Sequence, residues 1–208
     1  MKYDKHNMIA MIASLPKQIS EMIDSLLEWE PNEKFEGISN IVICGMGGSA
    51  IAGDLICNML KDELSIPIYV VRDYYLPSWV DNRSMVILSS YSGNTEETLS
   101  CLEDSLNRKA ISVCVTTGGT LHAKSKELGL DCVIMPTGYQ PRAALGYSLI
   151  SMMFVLEKFE LINNQFILDN IGSYIDEITS YGKKLLDSDS SLSKELAEKI
   201  INKKIIIY

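Results

Sequence analysis

Residues 89–99, SSYSGNTEETL, gather Ser89, Ser90, Ser92 and Thr95 around Gly93 and Asn94. They directly follow the apolar run MVIL, which must be buried. Hydroxyl groups donate well to phosphate oxygens, and a helix starting near Thr95 adds free backbone N–H groups. No lysine follows as in a Walker loop, so this is not a triphosphate cradle. A neutral cup of this kind suits a phosphomonoester. Simple capping, with Asn94 at the helix start and Glu97 three residues on, accounts for one or two of the polar residues. It leaves most of the hydroxyls at this strand end unexplained.

Other stretches carry similar chemistry. In CGMGGSA (residues 44–50) a strand ends, Gly45, Gly47 and Gly48 follow, and a helix is expected from about Ser49. Glycine permits close backbone approach to a ligand, and the helix start favours an anion. As a dinucleotide fingerprint the string fits poorly. Ala50 matches the third small position, but no acidic residue ends the next strand before Asp73. A tight strand-to-helix turn is the plain alternative. In GYQPRAALGYSL (residues 138–149), Arg142 opens an apolar helix. A cation there opposes the helix dipole unless an anion lies nearby. A substrate phosphate or an enediolate is such an anion; a surface carboxylate is the other choice. VTTGGTL (residues 115–121) is a supporting loop at the same sheet edge, and Glu96 and Glu97 read as dipole complements rather than bases.

The elements that must hold these loops follow from periodicity. Apolar strands are expected at residues 40–45, 66–73, 84–91, 111–117 and 132–136, separated by helical patterns. Uninterrupted apolar strands alternating with amphipathic helices predict a three-layer α/β sandwich, Rossmann-like, around a parallel five-stranded sheet. Ligands in such sheets sit beyond the carboxyl ends of the strands. Before them, Ile19, Met22, Ile23, Leu26 and Leu27 make one helical stripe after Pro16. In the helix after the glycine turn, Ile51, Leu55 and Met59 share a face. From Ala143 onward the chain reads as mainly helical, then ends on KKIIIY, which reads as the first strand of another unit.

Bulk properties narrow the classes. The 208 residues allow one large domain or one domain and part of another, and 47% hydrophobic content supports a real core. A net charge of −8 argues against a general nucleic-acid binder. The patch LGYSLISMMFVL is too short to cross a membrane, and MKYDKHNMIA lacks the apolar centre of a signal peptide. Cys44, Cys57, Cys101, Cys114 and Cys132 form no C-x-x-C pair and read as reduced thiols of a cytoplasmic protein. His6 and His122 lack ligand spacing, so no metal is expected.

Taken together, GMGGSAIAGDL, SYSGNTEETL, TTGG and QPRAALGYSL resemble the sugar isomerase (SIS) family, and more narrowly its bifunctional phosphoglucose/phosphomannose isomerases. The resemblance implies isomerisation of glucose 6-phosphate and mannose 6-phosphate to fructose 6-phosphate through a cis-enediol, with no cofactor or metal. It implies that Ser90, Ser92 and Thr95 hold the phosphate, that Gly47, Gly48 and Ser49 lie near the sugar, and that Arg142 is catalytic, steadying the enediolate. It also implies a homodimer, with the apolar helix after Ala143 either at the subunit contact or in the core. Family members carry two SIS domains, with the base and the ring-opening histidine in the second. The expected division is therefore an amino-terminal SIS domain over 1–190, then a linker helix and first strand of a second over 191–208. Such a half is expected to bind a phosphosugar and turn over little or nothing. A non-catalytic SIS module that senses a phosphosugar is the alternative, and a dinucleotide-binding domain the third reading.

Overall fold

Every strand pairs in parallel with its neighbours, as uninterrupted apolar strands require. The computed structural model describes residues 4–163, 166–186 and 192–206. Two helices come first, α1 (Met8–Ala13) and α2 (Leu15–Leu26). The sheet region runs β1 (Asn40–Cys44), α3 (Gly47–Met59), β2 (Ile68–Val71), β3 (Ser84–Ser90), α4 (Glu96–Asn107), β4 (Ile111–Thr116), α5 (Gly119–Leu128) and β5 (Asp131–Ile134). A 3-10 turn (Pro141–Ala143) leads into α6 (Leu145–Lys158), followed by α7 (Phe166–Leu186) and α8 (Leu192–Ile200).

The strand order is β2-β1-β3-β4-β5. The chain goes from β1 out to one edge at β2, then returns across β1 to β3 and proceeds the other way. The β1/β3 boundary is therefore the topological switch point, where open parallel sheets leave a crevice at their carboxyl ends.

Both faces of the sheet are covered. Ile41, Ile43, Met85, Ile87, Val113 and Val115 pack with α2, α3 and α6 residues such as Met22, Ile56 and Phe154. The alternate residues Val42, Cys44, Val86, Leu88 and Cys114 pack with Cys101 and Leu102 of α4 and Leu121 of α5. The expected αβα sandwich with five parallel strands is the architecture found.

Some expectations change in detail. On α3 the face of Ile51, Leu55 and Met59 is exposed, and Ala52, Gly53 and Ile56 face inward. Gly53 explains this: a Cβ there lies 3.1 Å from Ile43 Cγ2 and 3.1 Å from Val70 Cγ2, so the helix presses its small residues onto β1 and β2. On α2 the stripe is buried except Leu27, which lies past the last helical residue and is exposed. Of the two places expected for the helix after Ala143, the core is the one found: Gly146 through Glu157 of α6 are buried, apart from half-buried Leu149. Ile205 and Ile206 are exposed coil rather than strand, while Ile207 and Tyr208 lie outside the described residues. So does the boundary expected at residue 190. No described helix is long and apolar enough to cross a membrane.

The Asp104–Arg108 ion pair at the end of α4 holds the long β2–β3 connection through hydrogen bonds to its backbone. Asp104 accepts from Arg108 Nε at 2.8 Å and Nη2 at 2.9 Å, and from the Leu76 N–H at 3.0 Å. Arg108 also donates to the carbonyls of Pro77 at 2.7 Å and Leu76 at 3.2 Å. Burial raises the Asp104 pKa, but Arg108 and the Leu76 N–H outweigh it and hold the carboxyl below its ordinary value. A carboxyl depressed in the folded state stabilises above its unfolded pKa, and that contribution disappears as pH falls through the folded value. Asp104→Asn is expected to cost about 1–2 kcal/mol at pH 7. Urea denaturation should show the gap to wild type shrinking below about pH 4; an unchanged gap at pH 3 contradicts this account.

Candidate functional site

The loops that follow β1 and β3 meet at the switch point. β3 is buried along its whole length, so its end is fixed as rigidly as the sheet itself. Ser90 is its last residue and pairs in register with Thr116 of β4. Beyond it the chain turns sharply, with the Gly93 N–H bonded to the Ser90 carbonyl at 3.1 Å and to Ser90 Oγ at 3.1 Å. Ser90 Oγ lies 2.8 Å from Thr95 Oγ1, and Ser92 Oγ accepts from the Asn94 N–H at 3.2 Å. One of the Ser90 and Thr95 protons is used between them. The other, and that of Ser92, remain to be donated.

Thr95 is the N-cap of α4, yet no side chain caps this helix. The capping box expected of Asn94 and Glu97 does not form. Asn94 Oδ1 instead accepts from Thr120 N at 3.0 Å and Thr120 Oγ1 at 2.9 Å, at the start of α5. Its Nδ2 donates to the Ser92 carbonyl at 3.2 Å. The first-turn amides of α4 are thus left for an anion. Two free hydroxyl protons and a bare helix start make a donor set for a phosphate dianion. Ser89 does not join it. It shares a strand face with Met85 and Ile87, and its hydroxyl is fully buried with no partner among the described residues. Glu96 is occupied in part by the Tyr74 hydroxyl at 3.3 Å, which fits a structural role.

Two glycines lock the cup to the loop after β4. The Leu121 N–H bonds the Gly93 carbonyl at 2.8 Å. Gly93 has φ +68°, and a Cβ on it would lie 1.8 Å from the Gly118 oxygen. Gly119 has φ +67°, and its Cβ would lie 2.4 Å from the Ser92 oxygen. The TTGG stretch is therefore the wall of the cup, shaped further by Thr116 Oγ1 bonding to Gly118.

The glycine turn forms the other side. α3 starts at Gly47, two residues earlier than the sequence suggested, with Gly47 at φ +52° and Ser49 buried. A Cβ on Gly48 would meet the Pro141 oxygen at 2.9 Å and the Arg142 Cα at 3.3 Å. The 3-10 turn lies on the glycine turn, so residues from opposite ends of the sequence stretch meet there. Close packing within the chain accounts for Gly48 without a dinucleotide. Arg142 is exposed and makes no ion pair among the described residues, against the reading of a cation with a surface carboxylate partner.

Sequence reasoning missed Gln18. It is buried at the α2 end nearest the turn, and its amide binds both the Ala143 carbonyl and the Gly146 N–H. The available signal was a polar residue on an apolar stripe, one turn before Met22. No group of three or more described His, Cys, Asp or Glu residues is placed to hold a metal.

A bifunctional phosphoglucose/phosphomannose isomerase of Caldicellulosiruptor bescii is 39% identical over 204 residues, 97% of this chain. Another from Aquifex aeolicus is 37% identical over 162 residues, 76% of this chain. The chain belongs to the sugar isomerase (SIS) family. This SIS chain spans 60% and 50% of those relatives' own lengths. Its fold is shared with the C-terminal domain of glucosamine-fructose-6-phosphate aminotransferase from Francisella tularensis. The TM-score is 0.62, at 20% identity, over 94% of this chain and 57% of that one. No family model matches the chain.

Proposed function

We propose that this SIS chain is the phosphosugar-binding half of an aldose–ketose isomerase. It acts on glucose 6-phosphate and mannose 6-phosphate, giving fructose 6-phosphate through a cis-enediol. The observation that carries the reading is that Ser90, Ser92 and Thr95 gather at the start of α4, beyond the end of β3 at the β1/β3 switch point. The names of the relatives support the reaction. In this reading the phosphate sits on the hydroxyls and the α4 amides, and the sugar extends towards Gly47, Gly48 and Ser49. A base removes the proton from C2 beside the C1 aldehyde and returns it to C1. The enediolate formed between these steps is negatively charged, and Arg142 supplies the facing cation. No base or ring-opening acid is assigned to a residue of this chain. Both epimers lose the stereocentre at C2 in the enediol, which is why one site serves both.

The reading also carries a homodimer, a reduced compartment consistent with five free cysteines, and a division near residue 190 into this domain and the start of a second. The decisive experiment is calorimetry of the 208-residue chain with fructose 6-phosphate, fructose and NAD, beside an isomerase assay of the longer protein. Binding of the phosphorylated sugar alone, with turnover only in the longer protein, is the expected result. Binding with no turnover in the longer protein favours the sensing module, and binding of NAD favours the dinucleotide reading. Ser90→Ala and Thr95→Val should each weaken fructose 6-phosphate by about 10-fold, the loss of one charge-assisted hydrogen bond. Unchanged affinity in both removes the cup from consideration.

A further inference from the structure

Gln18 occupies a position where a hydrophobe would pack. It lies between Leu15 and Ile19 on the inner face of α2 and is fully buried. Burying an amide is costly unless every polar atom finds a partner. Here the partners are found. Nε2 reaches the Ala143 carbonyl at 2.7 Å, Ser14 Oγ at 3.1 Å and the Met11 carbonyl at 3.2 Å, and Oε1 accepts from the Gly146 N–H at 3.2 Å.

Two of those partners bracket one short stretch. Ala143 is the last residue of the 3-10 turn, and Gly146 carries one of the first N–H groups of α6. The amide thus accepts at the front of α6 as a capping side chain does, but from a different helix. Gly146 is small for the same reason, since its Cβ would lie 2.9 Å from Gln18 Cβ. On the opposite side, Gly48 lies against the Pro141 oxygen and the Arg142 Cα. The backbone that carries Arg142 is held from behind by Gln18 and from the front by the glycine turn.

We propose that Gln18 is a positioning residue for Arg142, fixing the 3-10 turn so that the guanidinium meets the charge of the enediolate. The proposal rests on the isomerase reading above. A misplacement of about 1 Å at such a site costs on the order of 100-fold in rate, so a second layer of fixation has a direct catalytic effect. Gln18 itself touches no substrate.

The test uses the 208-residue chain and two probes. Inorganic phosphate reports the cup alone. Arabinonate 5-phosphate adds a carboxylate where the enediolate charge develops. Wild type is expected to prefer arabinonate 5-phosphate. Gln18→Met keeps the side-chain bulk and removes the amide, and Gln18→Glu keeps the acceptor and removes the donor. Both should weaken arabinonate 5-phosphate by about 10-fold and leave inorganic phosphate within about 2-fold. Arg142→Ala should lose a similar factor. The double variant should lose no more than Arg142→Ala, since the two residues act as one unit. Equal weakening of both probes, unchanged binding of arabinonate 5-phosphate, or losses that multiply in the double variant each overturn the proposal. Absence of any preference in wild type counts against the isomerase reading itself. In that case amide exchange decides Gln18 separately. Faster exchange confined to residues 143–146 in the variants sustains the clamp, and unchanged exchange there overturns it.

Discussion

Replacing Gly93 by alanine is expected to destabilise the fold by about 3 kcal/mol or more, and to abolish phosphosugar binding with it. The reason is steric before it is conformational. The added methyl would sit 1.8 Å from the Gly118 oxygen and 2.9 Å from Thr116 Oγ1, at φ +68°. A backbone oxygen cannot swing aside as a side chain can, so the loops after β3 and β4 must part. Their parting breaks the bond from the Leu121 N–H to Gly93 and moves Ser92 out of the cup. Gly129 supplies the control. It has nearly the same φ, +67°, at the end of α5, but an added Cβ meets nothing within 4 Å. Gly129→Ala should cost only the left-handed penalty, about 1–2 kcal/mol, with binding retained. Urea denaturation of both variants separates the effects. Equal costs at the two glycines would contradict the account of the loop contact.

If the proposed second half is present, Arg142→Ala in that two-domain protein should lower kcat by a factor on the order of 10²–10³, with KM changed by less than about 3-fold. In the proposed reading the cup holds the phosphate in the ground state, so the guanidinium would contribute chiefly when charge appears on the sugar. Arg142→Lys should recover about 10-fold of the loss, because the charge returns without the planar fork. Steady-state assays with glucose 6-phosphate and mannose 6-phosphate measure both. A variant that raises KM and leaves kcat intact would place Arg142 on the phosphate instead.

The sheet was readable because its signals are local. β1, β3 and β4 are apolar runs bounded by glycine or hydroxyl turns, and their ends fall within a residue or so of the expected positions. Long-range contacts were not readable in the same way. Asn94 and Glu97 have the spacing of a capping box, yet Asn94 turns to Thr120, a partner 26 residues on. Ile51, Leu55 and Met59 recur with helical period, yet the opposite face is buried because Gly53 allows the closer approach. Periodicity finds a face without saying which side the sheet lies on. Gln18 shows the same limit, since its decisive partners stand 125 and 128 residues away. Residue type alone suggested Ser90, Ser92, Thr95 and Arg142 as candidates. It did not show that Gly48 lets the Arg142 turn settle against the switch point.

The first turn of α4 carries no side-chain cap, so an anion bound there, as the proposed function has it, would stabilise the helix as well as fill a site. A helix that lacks its terminal acceptor is an energetic defect of about 1 kcal/mol, and any monoester dianion that docks there repairs it. Melting temperature then becomes a readout of occupancy, rising with ligand concentration as mass action dictates. Heat tolerance in this molecule would therefore track the supply of phosphorylated metabolite around it.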